Sequence, residues 1–331
     1  MLGQVDKVGD SMATADQMRN LVKAYCNNDS EKFKTIVLQI AAHEAQIGHT
    51  GLARDLKKEI ENVGSNRTNL IHMPKTMNPM LHWSRPDVKL SELIVDDRIQ
   101  DKIKRILLEY NNRNKLLNSG LYNRRKILLE GNPGTGKTMT AAIIASELDL
   151  PLFTVQVDKL VTKFMGETSA RLRQIFDSMD TEVGVYLFDE FDAIGSDRSI
   201  DNEVGEMRRI LNSFLQFLEL DESPSIIIAA TNNKRLLDKA LFRRFDDVIH
   251  YDLPDTNQIK RLFEYKLRVY DSNFYCSSEL IETSKGLSHA EISLVCDDAI
   301  KGAILNDDPI NSLILIRLLN ERHRIYKGRE A

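Results

Sequence analysis

The segment GNPGTGKT at residues 131–138 constrains the fold of this chain more than any other feature. It follows the apolar run KILLE and precedes a helix-forming run, TAAIIASEL. A glycine-rich turn between a strand and a helix is the context in which backbone N–H groups cradle phosphate. Gly131, Gly134 and Gly136 let the main chain curl without Cβ clashes, so that successive amides face an anion. The following helix presents its positive end to the same charge. In this reading Asn132, Pro133, Gly134, Thr135, Gly136, Lys137, Thr138 and Met139 form the binding loop. Lys137 neutralises β- and γ-phosphates, and the Thr138 hydroxyl holds Mg²⁺.

A second apolar run, VYLFDE at 185–190, ends in two acids. Ligands of open α/β sheets bind at the carboxyl ends of the strands. Asp189 therefore suits the magnesium shell, and Glu190 is placed to orient and deprotonate an attacking water. A third run, IIIAATNN at 226–233, puts Asn232 at another strand end, where it would contact the γ-phosphate or the water.

Short aliphatic runs at Ile127–Leu129, Leu152–Val157, Val183–Phe188, Ile226–Ala230 and Val248–Tyr251 alternate with helical patterns. Buried strands separated by helices predict an α/β fold, a doubly wound parallel sheet. Helical periods alone follow Pro254, which predicts an all-helical lid over 256–331 behind an α/β domain over 89–255. Residues 1–62 read as a small helical bundle, with Phe33, Ile36, Val37 and Ile40 on one face. The stretch 63–88 contains Pro74, Pro79 and Pro86 and reads as a linker. Its Met73, Met77, Met80, Leu81 and Trp83 predict that it packs along a surface.

The order of these motifs, with Ala-Leu-Phe-Arg-Arg-Phe-Asp at 240–246, resembles the AAA+ ATPases over roughly residues 90–300. The resemblance implies ATP as substrate, Mg²⁺ as cofactor and a homo-hexameric ring. It makes Asn232 the sensor residue, and places Arg243 and Arg244 where an arginine reaches the neighbouring subunit's nucleotide. Adjacent helical residues point about 100° apart, so the two need not reach the same phosphate. The segment KLVTKFMGETS at 159–169 resembles the first pore loop of protein-remodelling members. Phe164 and Met165 would then grip a threaded protein through apolar contacts tolerant of sequence. Residues 195–205 fit a second pore loop. In the lid, Ser288 and Glu291 form a capping-box pattern. His289 would lie near the adenine, which is sandwiched against Leu93–Val95.

Net charge is -4, so no global basic field favours nucleic acid. Cys26, Cys276 and Cys296 are far apart and support neither a disulfide framework nor a zinc ribbon. His43-Glu44 with His49 lacks the one-turn spacing that a zinc protease needs. No run of apolar residues is long enough to span a bilayer, and the first residues lack a signal-peptide core, so a cytoplasmic protein is expected. The leading expectation is an ATP-driven protein unfoldase or remodeller, with the N-terminal bundle recruiting a separate partner. A nucleic-acid motor or loader, and an assembly switch that threads nothing, remain the alternatives.

Overall fold

Alternating aliphatic and amphipathic segments place six strands in one sheet in the computed structural model. The structure describes residues 15–26, 30–46, 48–63, 78–160, 167–191, 203–232, 242–272, 274–306 and 309–327. The chain divides into two units, Met1–Lys75 and Thr76–Ala331.

The first unit contains α1 (Ala15–Cys26), α2 (Ser30–Gln46) and α3 (Thr50–Val63). Its core is small: Ala24, Ile36 and Ile40, with Leu21, Phe33 and Leu56 packed against them. The Glu44 carboxylate is buried and accepts a hydrogen bond from His49 Nδ1 at 2.7 Å. That pair engages the acid that a zinc-protease reading would have made catalytic.

The sheet of the second unit consists of β1 (Leu81–Ser84), β2 (Lys126–Gly131), β3 (Leu152–Val155), β4 (Val185–Phe188), β5 (Ile226–Thr231) and β6 (Asp247–Tyr251). The strand order is β1-β3-β4-β5-β2-β6. Strands β2 to β6 are parallel, whereas β1 runs antiparallel to β3, pairing Leu81 with Val155. The sheet is therefore mixed, and part of the expected linker is a strand. Pro79 and Pro86 bracket β1, and a strand so bounded is tolerated at a sheet edge. Met80 and Leu81 enter the core there, with Trp83 packed beside them.

Side chains alternate across the sheet, as strand geometry requires. Val185 and Leu187 join one core, with Ile103 and Ile106 of α4 (Asp97–Asn111) and Ile143 and Ile144 of α6 (Lys137–Glu147). The short α5 (Arg113–Leu117) lies between these helices in sequence. Tyr186 and Phe188 join the opposite core, beneath α8 (Glu167–Thr181) and α9 (Glu203–Leu220). The run expected as strand to Val157 ends at Val155, and a single turn, α7 (Val157–Leu160), follows. Phe214 of α9 is the hub of an aromatic cluster, 4.9 Å from Phe188, 4.5 Å from Phe191 and 5.8 Å from Phe176 between ring centroids.

The C-terminal helices are α10 (Thr256–Leu267), α11 (Ser278–Ser284), α12 (His289–Asn306) and α13 (Ser312–Lys327). They enclose a core of Ile259, Phe263, Val295, Cys296, Leu315 and others, which Ile94 also enters. Asp255 caps α10 by accepting from Gln258 N, and the Gln258 side chain accepts from Asp255 N in return. Cys276 and Cys296 are buried free thiols, and burial pushes them up to about 11 and about 12. No helix among the described residues is long and apolar enough to cross a membrane. Replacing Phe214 by Ala removes the hub ring from a site with no solvent exposure. It should cost about 3–5 kcal/mol in chemical denaturation.

Candidate functional site

Three adjacent parallel strands, β4, β5 and β2, deliver the polar groups to one edge of the sheet. From β2 the chain turns through the glycine loop, and Gly136 with φ 103° forms the N-cap of α6. Lys137, the first residue of that helix, is buried. Its Nζ donates to Gly131 O at 2.9 Å and to Asn132 O at 2.8 Å. Thr135 Oγ1 donates to the same Asn132 carbonyl at 2.7 Å, so the loop is braced from two sides. At Gly134, with φ 74°, a Cβ would lie 2.6 Å from Ser288 Oγ in the lid. Only glycine permits both that conformation and that approach. Ala290 N donates to Gly134 O at 2.9 Å, tying the lid helix to the loop.

Strand β4 ends in the acidic pair. Asp189 Oδ2 accepts from Thr138 Oγ1 at 2.7 Å, and Asp189 Oδ1 accepts from Glu190 N at 2.9 Å. Glu190 has φ 49°, a left-handed conformation uncommon for a side-chain-bearing residue. Its exposed side chain lines the same cavity as Asp189. Asn232 reaches that cavity from the end of β5.

The cavity has a volume of about 590 Å³ and lies between the sheet edge and the lid. Residues 133–139, Asp189, Glu190, Asn232 and His289 all line it. Asn132 contributes through its carbonyl rather than as a wall residue. Arg243 and Arg244 are not among the lining residues. Arg244 Nε donates to Glu219 Oε2 at 3.2 Å in its own chain, whereas Arg243 is exposed with no ion pair among the described residues. Phe164, Met165 and residues 195–202 lie outside the described residues.

Glu92, Tyr265, Lys266 and Ser293 also line the cavity, and sequence reasoning did not single them out. Leu262 and Lys266 stand one turn apart on α10, so the signal was present as an i, i+4 pair. Nothing distinguished that pair from any amphipathic helix. Lys266 Nζ donates to Asp297 Oδ1 at 3.1 Å, which holds the ammonium within the lid.

His289 opens α12, and among the described residues neither ring nitrogen has a hydrogen-bond partner of ordinary geometry. Burial lowers its pKa to about 4; the nearby Ile94 backbone and Asp255 carboxylate offset this only in part. The ring is therefore neutral near pH 7, an uncharged flat surface in the cavity wall beside Leu93 and Ile94.

The Thr138–Asp189 pair fits a magnesium ion. It offers one hydroxyl and one carboxylate, both hard oxygens, and leaves the remaining positions to phosphate and water. Among the described residues no group of three or more His, Cys, Asp or Glu could hold a metal without such help.

Residues 127–253 match the ATPase family associated with various cellular activities (AAA). An uncharacterised AAA family ATPase of Sinorhizobium fredii is 35% identical over 306 residues, covering 89% of this chain and 90% of that protein. The chain belongs to the AAA ATPase family. As a member it binds and hydrolyses ATP. This AAA ATPase is also 37% identical over 181 residues to the ATP-dependent zinc metalloprotease FtsH of Parabacteroides distasonis, across 52% of this chain and 26% of FtsH. A putative 26S proteasome regulatory subunit homolog of Methanothermobacter marburgensis is 29% identical over 190 residues, 56% of this chain and 51% of that relative. The crystal structure of the FIGL-1 AAA domain shares the fold. Its TM-score is 0.57 at 20% identity, over 73% of this chain and 85% of that one.

The His289 shift gives this AAA ATPase a pH signature. A histidine whose folded pKa lies below its unfolded value binds fewer protons when folded, so stability falls as pH drops from about 6.5 towards about 4. Substituting His289→Gln should flatten the slope of unfolding free energy against pH within that window, measured by denaturant titration.

Proposed function

We propose that this AAA ATPase works as a homo-hexameric ring in which each ATP site is completed by the adjacent copy, and that it remodels or threads other proteins. The observation that carries this reading is the division of the machinery. The cavity gathers Lys137, Asp189, Glu190 and Asn232, but no arginine is among its described lining residues. Arg243 stands exposed elsewhere, while Arg244 is engaged by Glu219. An arginine lent in trans stabilises charge developing on the transferred phosphoryl group and is typically worth about 10³–10⁵ in rate. Arg243 is the one assigned here.

Within the cavity, Lys137 sits against the β- and γ-phosphates, and the backbone N–H groups of residues 134–138 surround them. Thr138 and Asp189 would hold Mg²⁺, which when bound would neutralise charge on the phosphate oxygens. Glu190 orients a water against the γ-phosphorus and accepts its proton; Asn232 fixes that water or the γ-phosphate. ADP and phosphate result. The neutral His289 ring and the Leu93–Ile94 segment flank the adenine, where an uncharged apolar surface suits a base.

Protein as substrate is supported by relatives named for proteolysis and for the proteasome, and by the net charge of -4, which offers no general attraction to nucleic acid. Phe164 and Met165 are assigned to grip the threaded chain in the central pore. The N-terminal helical unit is assigned to recruit the substrate or a separate partner protein.

Three outcomes test these assignments. Lys137→Ala should abolish ATP binding by equilibrium titration. Glu190→Gln should keep binding but lose about 10²–10⁴-fold in turnover; unchanged turnover would remove the general base. Arg243→Ala should lose about 10³-fold or more, and mixing it with Lys137→Ala subunits should restore part of the activity. Full-speed hydrolysis by a strict monomer would overturn the ring.

A further inference from the structure

The phosphate loop is clasped from behind by a residue far from it in sequence. Tyr251 is the last residue of β6, which among the described residues is an edge strand paired with β2 alone. Its position pairs with Gly131, the last residue of β2 and the first of the loop. A Cβ on Gly131 would lie 2.1 Å from Tyr251 O, so the main chains meet there without room for a side chain. The Tyr251 side chain reaches the other end of the loop. Its hydroxyl lies 2.7 Å from Thr140 Oγ1, and Thr140 Oγ1 is 3.0 Å from Gly136 O. Thr140 has no solvent exposure and Tyr251 almost none.

Proton counting gives this chain a direction. Gly136 O can only accept, so the Thr140 proton goes to it. The Tyr251 hydroxyl must then donate to Thr140 Oγ1. Burial raises the phenol well above its usual range, which keeps that donor protonated at any working pH. Tyr251 thus meets both glycines that bound the loop, Gly131 by its backbone and Gly136 through Thr140.

The strand that carries Tyr251 joins two other working parts. Before it lies the Arg243–Arg244 turn, followed by buried Phe245 and by Asp246, whose Oδ2 accepts from Arg125 N and Lys126 N at 2.9 Å each. Lys102 Nζ pins the start of the strand, donating to Asp247 Oδ1 at 2.8 Å and Val248 O at 2.6 Å. Beyond Tyr251, four residues lead to Thr256, where the first lid helix begins.

We infer that the Tyr251 hydroxyl is a positioning group for ATP hydrolysis. It fixes the curvature of the phosphate loop and ties that curvature to the strand between the arginine turn and the lid. The inference rests on the reading that ATP phosphates occupy this loop. It adds a residue that touches no substrate and acts through Thr140.

The test is Tyr251→Phe in the full-length protein, which deletes one oxygen and leaves the ring in place. Loss of one buried hydrogen bond should weaken Mg·ATP binding by roughly two- to tenfold and raise KM to match, with kcat changed less. Thr140→Ser, which keeps the hydroxyl, should bind as the parent does. Thr140→Val should weaken binding, and adding Tyr251→Phe to it should cost no more, because the chain is already broken. A merely structural tyrosine would lower Tm while leaving the ATP affinity of Tyr251→Phe unchanged at temperatures well below unfolding. That result, or simple additivity of the two substitutions, overturns the inference. If Lys137→Ala still bound ATP, the reading of the loop itself would fail. If Lys137→Ala lost binding while Tyr251→Phe kept it, only the tyrosine's role would fall.

Discussion

The Lys137 ammonium, held by the Gly131 and Asn132 carbonyls, is the point to which the rest of the structure refers. A buried cation must be compensated, and here its own loop supplies the compensation. That requirement forces the main chain into a tight ring of carbonyls and amides. The ring in turn requires glycine where the lid and the edge strand press closest. From the same point α6 sets out, and Thr138 meets the acid delivered by β4. The lid contact at Gly134 and the acidic pair at the end of β4 both meet the loop that holds this amine.

Much of this arrangement was legible in the amino-acid sequence because it rests on short-range chemistry. Glycine, lysine and threonine at fixed spacing between a strand and a helix leave few conformations open. Four-residue aliphatic runs that end in acids or amides mark parallel strands by their carboxyl ends. The capping residues of α12 were readable for the same reason. Ser288 and Glu291 satisfy each other's backbone N–H groups across a single turn, at 3.4 Å and 2.6 Å.

What escaped sequence reasoning depends on long-range pairing. The prolines around Leu81–Ser84 read as a linker that packs along a surface, and Met80 and Leu81 do reach the core; what they hide is the strand, because an edge position tolerates such neighbours. Tyr251 and Thr140 are 111 residues apart, and nothing local to either reveals the bond between them. Lys266 and Ser293 enter the cavity wall only because the lid folds back over the loop. The adjacent arginines were indistinguishable as letters. Glu219, at the far end of α9, separates them by engaging one.

The left-handed backbone at Glu190 sets two demands on one position against each other. Torsional ease there favours a residue without a side chain, by an amount of order 1 kcal/mol. Water activation, in the role assigned to Glu190, needs a carboxylate. A population screened only for thermal robustness would drift towards glycine at residue 190 and lose turnover, whereas one screened for turnover would keep a left-handed glutamate as the cost of its chemistry. In this chain the seat of reaction is also a place where the fold is not at rest.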